Sequence, residues 1–226
     1  AASGTMITDQ RNYGTLPNSI IKFEGFDRIN RGNNPSEANL RNWLLGNNPV
    51  DILVLGYSWT MNAVEADIIA EYILKNGVVL AFSESNAGNS RLFQTLFNDL
   101  NISSSSVNAA GALYKLPVTN DEVINGPFGD IRGKIWGEDA SSTTRTVGLP
   151  LNDIEIYSSD ADYSQTTPNS TNAITAFRHK NFNLIWVGDG GFNSNDAGTS
   201  TTICPFKLDA NNFPTFKPNF GRGGNQ

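Results

Sequence analysis

Residues Asp51–Asn86 (DILVLGYSWTMNAVEADIIAEYILKNGVVLAFSESN) read as strand, helix, strand, and no other stretch constrains the fold as much. Asp51–Gly56 is a short, branched, apolar run of the kind found in strands covered on both faces. Asn62 is placed to cap a helix, with Glu65 three residues on in the capping-box position. Val64, Ile68 and Tyr72, with Ile69 and Ile73, then recur at helical spacing, and Gly77 supplies a stop. Val78–Phe82 is a second apolar run, closed by Ser83-Glu84-Ser85-Asn86. A crossover of this kind makes two parallel strands of one sheet, with ligands held at their carboxyl ends.

The remaining segments are read against that unit. Ile20–Phe26 is a plausible short strand, while residues 1–19 show none. Ser36 opens a helix with Leu40, Trp43 and Leu44 as its apolar stripe, and Gly46 closes it. Ser90–Leu100 forms a further helix, with Leu92, Phe93, Leu96, Phe97 and Leu100 on one face. From about residue 102 to 170 the pattern changes to short β-like runs: Ala112–Val118, Ile131–Trp136 and Ile154–Ser158. Ala173–Arg178 and Leu184–Gly188 read as a hairpin joined through His179–Asn183. Phe213–Gln226 (FPTFKPNFGRGGNQ) has no periodicity and reads as a linker or extended tail.

The expected fold is therefore α/β: a three-layer sandwich around a mainly parallel, flavodoxin-like sheet, with a β-rich elaboration in the second half. Residues 1–212 form one domain and 213–226 the tail. A doubly wound sheet normally begins with a strand and helix that are absent before Asp51, so the chain is expected to be a piece of a longer polypeptide.

Two segments together, Asp51–Asn86 and the late hairpin ending LIWVGDGGFNSND, resemble the class I glutamine amidotransferase-like superfamily. The resemblance is to an uncharacterised, non-catalytic bacterial branch, often extracellular, that keeps the flavodoxin-like sheet without amidotransferase chemistry. In catalytic members a Cys or Ser sits on the sharp turn after the strand equivalent to Val78–Phe82. The resemblance therefore places Ser83 at the nucleophile position, flanked by the small Ala81 and Ser85 and with Glu84 beside it. A serine nucleophile needs a base, and His179, the only histidine, falls in the hairpin turn, at the far end of the strand from Asp189. It reads as a solvated turn residue, and Ser83 and Ser85 read more simply as caps of the next helix.

Other residues gather at the same ligand edge. Tyr57 and Trp59 follow the first strand and could stack on a sugar face; a hydrophobic staple onto the next helix is the plainer role. Ser85, Asn86 and Asp189 complete the edge. Asp189, Asn193, Asn195 and Asp196 bring four oxygen-bearing side chains within eight positions, which suits Ca²⁺. Turns rich in Asn and Asp form without metal, so no cofactor is required and calcium is the one considered. Cys204 is the only cysteine, so no disulfide can form within the chain.

The net charge of -6 argues against nucleic acid or an anionic membrane surface as partner. No long apolar run predicts a transmembrane segment. Few lysines and many small polar residues suit an exported bacterial protein at the cell surface or beyond it. Together these features describe a non-catalytic binding or structural module, its partners being other chains or domains of a larger assembly. A Ser83-dependent hydrolase and a glycan-binding domain are the alternatives.

Overall fold

The computed structural model describes residues 9–31, 35–56, 59–84, 89–107, 113–137, 143–159, 173–190, 206–211 and 214–216. In chain order the elements are β1 (Tyr13–Gly14), β2 (Ile21–Lys22), α1 (Glu37–Leu45), β3 (Ile52–Leu55), α2 (Ala63–Leu74), β4 (Val78–Phe82) and α3 (Ser90–Phe97). There follow β5 (Ser103–Val107), β6 (Leu113–Lys115), β7 (Asn125–Gly126), β8 (Gly129–Asp130), β9 (Ile135–Gly137) and β10 (Thr143–Val147). The last are β11 (Ile154–Ser159), β12 (Ile174–His179), β13 (Leu184–Val187), β14 (Phe206–Leu208) and β15 (Pro214–Phe216).

The chain is α/β, with a seven-stranded sheet ordered β3-β4-β13-β12-β10-β5 and β11 paired to β12. The expected crossover is present: β3 and β4 are parallel, Ile52 opposite Val78 and Leu55 opposite Ala81. β13 joins the other edge of β4 in parallel, and the predicted hairpin with β12 is antiparallel. Every pairing beyond that is antiparallel. The sheet is thus mixed rather than mainly parallel. Long hydroxyl-rich strands from the β-rich segment supply its second half, where further βα crossovers would have kept the strands parallel.

Local chemistry explains the helices. Asn62 Oδ1 accepts from the Glu65 amide (2.9 Å) while Glu65 Oε2 accepts from the Asn62 amide (2.8 Å), so α2 opens with the expected capping box. Its stop differs from the expectation. Asn76, at φ 67°, makes the left-handed turn. Gly77 is demanded by packing instead, since a Cβ there would lie 2.4 Å from the Tyr72 ring. Tyr72 cannot easily retreat, because its hydroxyl donates to the Val50 carbonyl (2.8 Å). Asn98, at φ 51°, likewise ends α3 early. Leu100 therefore lies beyond the helix and is 86% exposed instead of joining its apolar face.

The three helices of the described residues lie on one face of the sheet. Leu40 and Leu44 of α1, Ile68, Ile69 and Ile73 of α2, and Leu92 and Phe93 of α3 form one buried cluster with Leu55, Val79, Ala81, Phe177, Leu184 and Trp186. The opposite face is covered at one end by residues 116–124, where Ile124 packs on Tyr157 and Ala176 with Leu116 and Val187 beside them. Asp121 anchors this cover: Tyr157 donates its hydroxyl to Oδ1 (2.7 Å) and Arg178 its Nε to Oδ2 (2.6 Å). Toward the β3 edge that face is bare, Ile52 being 38% and Val54 48% exposed. The expectation of cover on both faces of β3 is corrected here. Branched apolar residues mark strand conformation, and their burial depends on what is laid over them.

Candidate functional site

The carboxyl ends of β4 and β13 form one rim. The Ser83 amide donates to the Val187 carbonyl (3.0 Å), continuing the β4–β13 ladder and setting Ser83 and Asp189 on adjacent strands at the same end. Both are buried, Ser83 completely.

The hydroxyl of Ser83 is engaged in an unexpected sense. Its Oγ accepts from Trp186 Nε1 at 2.9 Å and from Asn89 Nδ2 at 3.1 Å. A hydroxyl has two acceptor lone pairs, and both are taken. An activated serine donates its proton to a base and keeps an oxygen lone pair aimed at its substrate. Asn89 sits at the N-cap of α3 yet makes no side-chain cap bond there; its amide turns to Ser83 instead. Asn89 and Trp186 are the residues that sequence reasoning missed at this position. A buried indole N–H needs an acceptor, and nothing in the sequence pointed to Ser83 as that acceptor.

His179 stands elsewhere. Arg178 pairs with Ile185, and Leu184 with Val79, so the imidazole lies level with Val79. Ser83 is four residues further along β4, about 13 Å. The ring is 5% exposed rather than solvated, because Phe97 and Phe182 enclose it and the turn amides need its nitrogen.

The other rim residues divide. Glu84 is half-buried and forms an isolated bridge after β4. Trp59 is half-buried against the core cluster, with a buried Nε1 that has no hydrogen-bond partner among the described residues. Tyr57, Ser85, Asn86, Asn193, Asn195 and Asp196 lie outside the described residues, as does Cys204. Among the described residues no three His, Cys, Asp or Glu side chains gather as metal ligands. No helix of the described residues is long and apolar enough to cross a membrane.

A groove of about 530 Å³ lies away from this rim. Val78, Leu80 and Ile185, residues 120–123 and the β12–β13 turn line it. The Asp121 cluster stands on its wall. Burial pushes the Asp121 carboxyl up, but the Val123 amide, Tyr157 and Arg178 outweigh that and hold it below its ordinary value. Burial, and then Asp121, push the Tyr157 hydroxyl far up, so it stays a donor.

No protein family matches this chain, and no curated protein does. Among solved structures it is similar to a ThuA-like protein from Bacteroides uniformis ATCC 8492, at 14% identity and a TM-score of 0.40 over 67% of this chain. The chain spans 64% of that protein's length. It is similar to the mmIFT52 N-terminal domain at 15% identity and TM-score 0.40, covering 69% of this chain and 70% of that one. It is also similar to alpha-L-fucosidase isoenzyme 2 from Paenibacillus thiaminolyticus at 14% identity and TM-score 0.37, over 63% of this chain and 21% of the fucosidase. These are likenesses in the course of part of the backbone.

Proposed function

We propose that this chain is a non-catalytic binding or structural module of a larger exported bacterial protein, built on a sheet derived from the amidotransferase-like arrangement. One observation carries the reading: the hydroxyl at the nucleophile position is buried and its oxygen accepts two N–H bonds, while the imidazole lies about 13 Å further down the strands. In this reading Ser83 is a joint of the core, fastening α3 to β13 through Asn89 and Trp186. The β-rich half takes the place of the missing crossovers and leaves an apolar strand face at β3 and β4 for contact with neighbouring domains. Export and a bacterial source rest on composition.

The reading is tested with a fluorophosphonate probe, which phosphonylates activated serines with loss of fluoride, and with a panel of esters and amides. Neither labelling nor turnover is expected from the wild type. Probe labelling that maps to Ser83 and vanishes in a folded Ser83→Ala variant overturns it in favour of a hydrolase.

A further inference from the structure

The turn joining β12 to β13 is built around an imidazole. His179 ends β12 and is buried, its ring stacked on Phe97 of α3 with centroids 5.3 Å apart and planes 4° from parallel. Phe182 tilts against it at 4.8 Å. Nδ1 accepts two backbone N–H groups, from Asn181 at 3.0 Å and from Phe182 at 3.2 Å. Two donors aimed at one nitrogen assign the lone pair to Nδ1 and place the neutral ring's proton on Nε2.

The same turn is tied down on either side. The Lys180 amide donates to the Asp153 carbonyl (2.8 Å), and Asn183 accepts from the Val79 amide (2.8 Å). Asn183 Nδ2 also reaches the Asn76 carbonyl (3.2 Å). Of the charged groups around the ring, the Asp153 carboxylate favours an added proton. Arg178, which donates to the His179 carbonyl, and Lys180 flank it on its own strand and oppose one. α3 presents the uncharged ring of Phe97.

We infer that this turn is an acid-opened catch: a proton added at His179 Nδ1 faces the Asn181 and Phe182 N–H groups and releases both at once. Two hydrogen bonds become two donor–donor contacts at a ring held between Phe97 and Phe182, and the exposed turn can relieve them only by moving its amides away. Asn181, Phe182 and Asn183 line the groove together with Val78 and Leu80. Their release reshapes that groove and frees the Phe182 ring from the imidazole. Burial makes the ring harder to protonate than an ordinary histidine, so the catch is closed at neutral pH and opens on acidification. The inference is independent of the role given to Ser83.

Amide hydrogen exchange at Asn181 and Phe182, corrected for intrinsic rates, tests it between pH 7.5 and 4.5. In the wild type the protection of these two amides falls by about tenfold or more across that range, while the β4–β13 ladder keeps its protection. His179→Asn places an amide oxygen where Nδ1 stands and does not titrate, so its protection stays level. Equal protection of the wild type at both pH values overturns the inference, as does the same loss in the variant. Should the variant fail to fold, the imidazole nitrogen shifts of the wild type decide, the chain having one histidine. An unprotonated Nδ1 at neutral pH, titrating with the same midpoint as the exchange, sustains it. A protonated Nδ1 at neutral pH, or midpoints that differ, ends it.

Discussion

The indole nitrogen of Trp186 donates to the hydroxyl oxygen of Ser83 at 2.9 Å, across the pairing of β13 with β4. Asn89 donates to the same oxygen from the head of α3. Ser83→Ala leaves two buried N–H groups without an acceptor, and each costs about 1–3 kcal/mol. The expected loss is about 2–4 kcal/mol in chemical denaturation, with an unchanged m-value. A loss below about 0.5 kcal/mol would show that the hydroxyl is dispensable to the core.

Gly188 is held between the backbones of β10 and β12: the Thr144 amide donates to its carbonyl, and its own amide donates to the Thr175 carbonyl, both at 2.7 Å. A Cβ at Gly188 would fall 2.0 Å from the Thr144 carbonyl oxygen. Gly188→Ala therefore forces β10 off the sheet. We expect a loss of about 3 kcal/mol, read as a fall in melting temperature of roughly 6–12 °C. A shift under about 2 °C would mean that β10 adjusts freely.

The two faces of β3 are expected to respond differently. Val54→Thr, on the bare face, changes stability by no more than about 0.5 kcal/mol. Leu55→Ala, in the helix-covered core, costs about 3 kcal/mol. Matching losses at the two positions would show that a further layer covers Val54.

Asp121 ties the cover segment to the sheet, and its carboxyl is held low, so the folded state takes up its proton less readily than the unfolded chain. Its contribution is therefore fully present above the ordinary carboxyl value of 3.8 and is lost as pH falls through the lowered one. Asp121→Asn costs about 2–3 kcal/mol at pH 7 and progressively less below pH 4. Guanidinium titrations of both proteins at several pH values check this, and a constant difference down to pH 2 would contradict it.

His179 obeys the same sign. Burial lowers its affinity for a proton, against the pull of Asp153, so the unfolded chain binds protons more readily. Stability from this residue is complete above 6.5 and declines as pH falls below that value toward the folded one. Denaturant midpoints at pH 7.5 and 5 should separate more widely for the wild type than for His179→Asn, and equal separations would refute this.

The strands and helix of the Asp51–Asn86 unit were legible because apolar runs, a capping box and a crossover length all agreed. The β12–β13 hairpin was legible for similar reasons. β5 and β10 were not. Their sequences, SSSSV and TTRTV, lack apolar alternation, yet Thr143, Thr144 and Thr146 are fully buried. Burial of hydroxyl-bearing side chains, with Ser104 and Thr146 paired sideways at 2.8 Å, stands where a hydrophobic pattern would be expected. The bare face of β3 was illegible because Ile52 and Val54 are the same residues whether covered or open. At the rim, the place of Ser83 at the end of its strand could be read, but its partners come from elements whose packing no spacing rule reports. His179 looked solvated because a hairpin turn usually is; the Phe182 three residues later was the overlooked sign of a ring with company.

Ser83 and Trp186 lie 103 positions apart, and the whole β4–β13 ladder closes over comparable distances. At ribosomal rates of roughly 5–20 residues per second, β4 waits on the order of 5–20 seconds for the neighbour that completes it. Through that interval a run of Val, Val, Leu, Ala and Phe offers an unpaired edge to any other nascent chain. This interior strand, one in from the β3 edge of the finished sheet, is therefore a stretch on which the yield in a crowded cell depends.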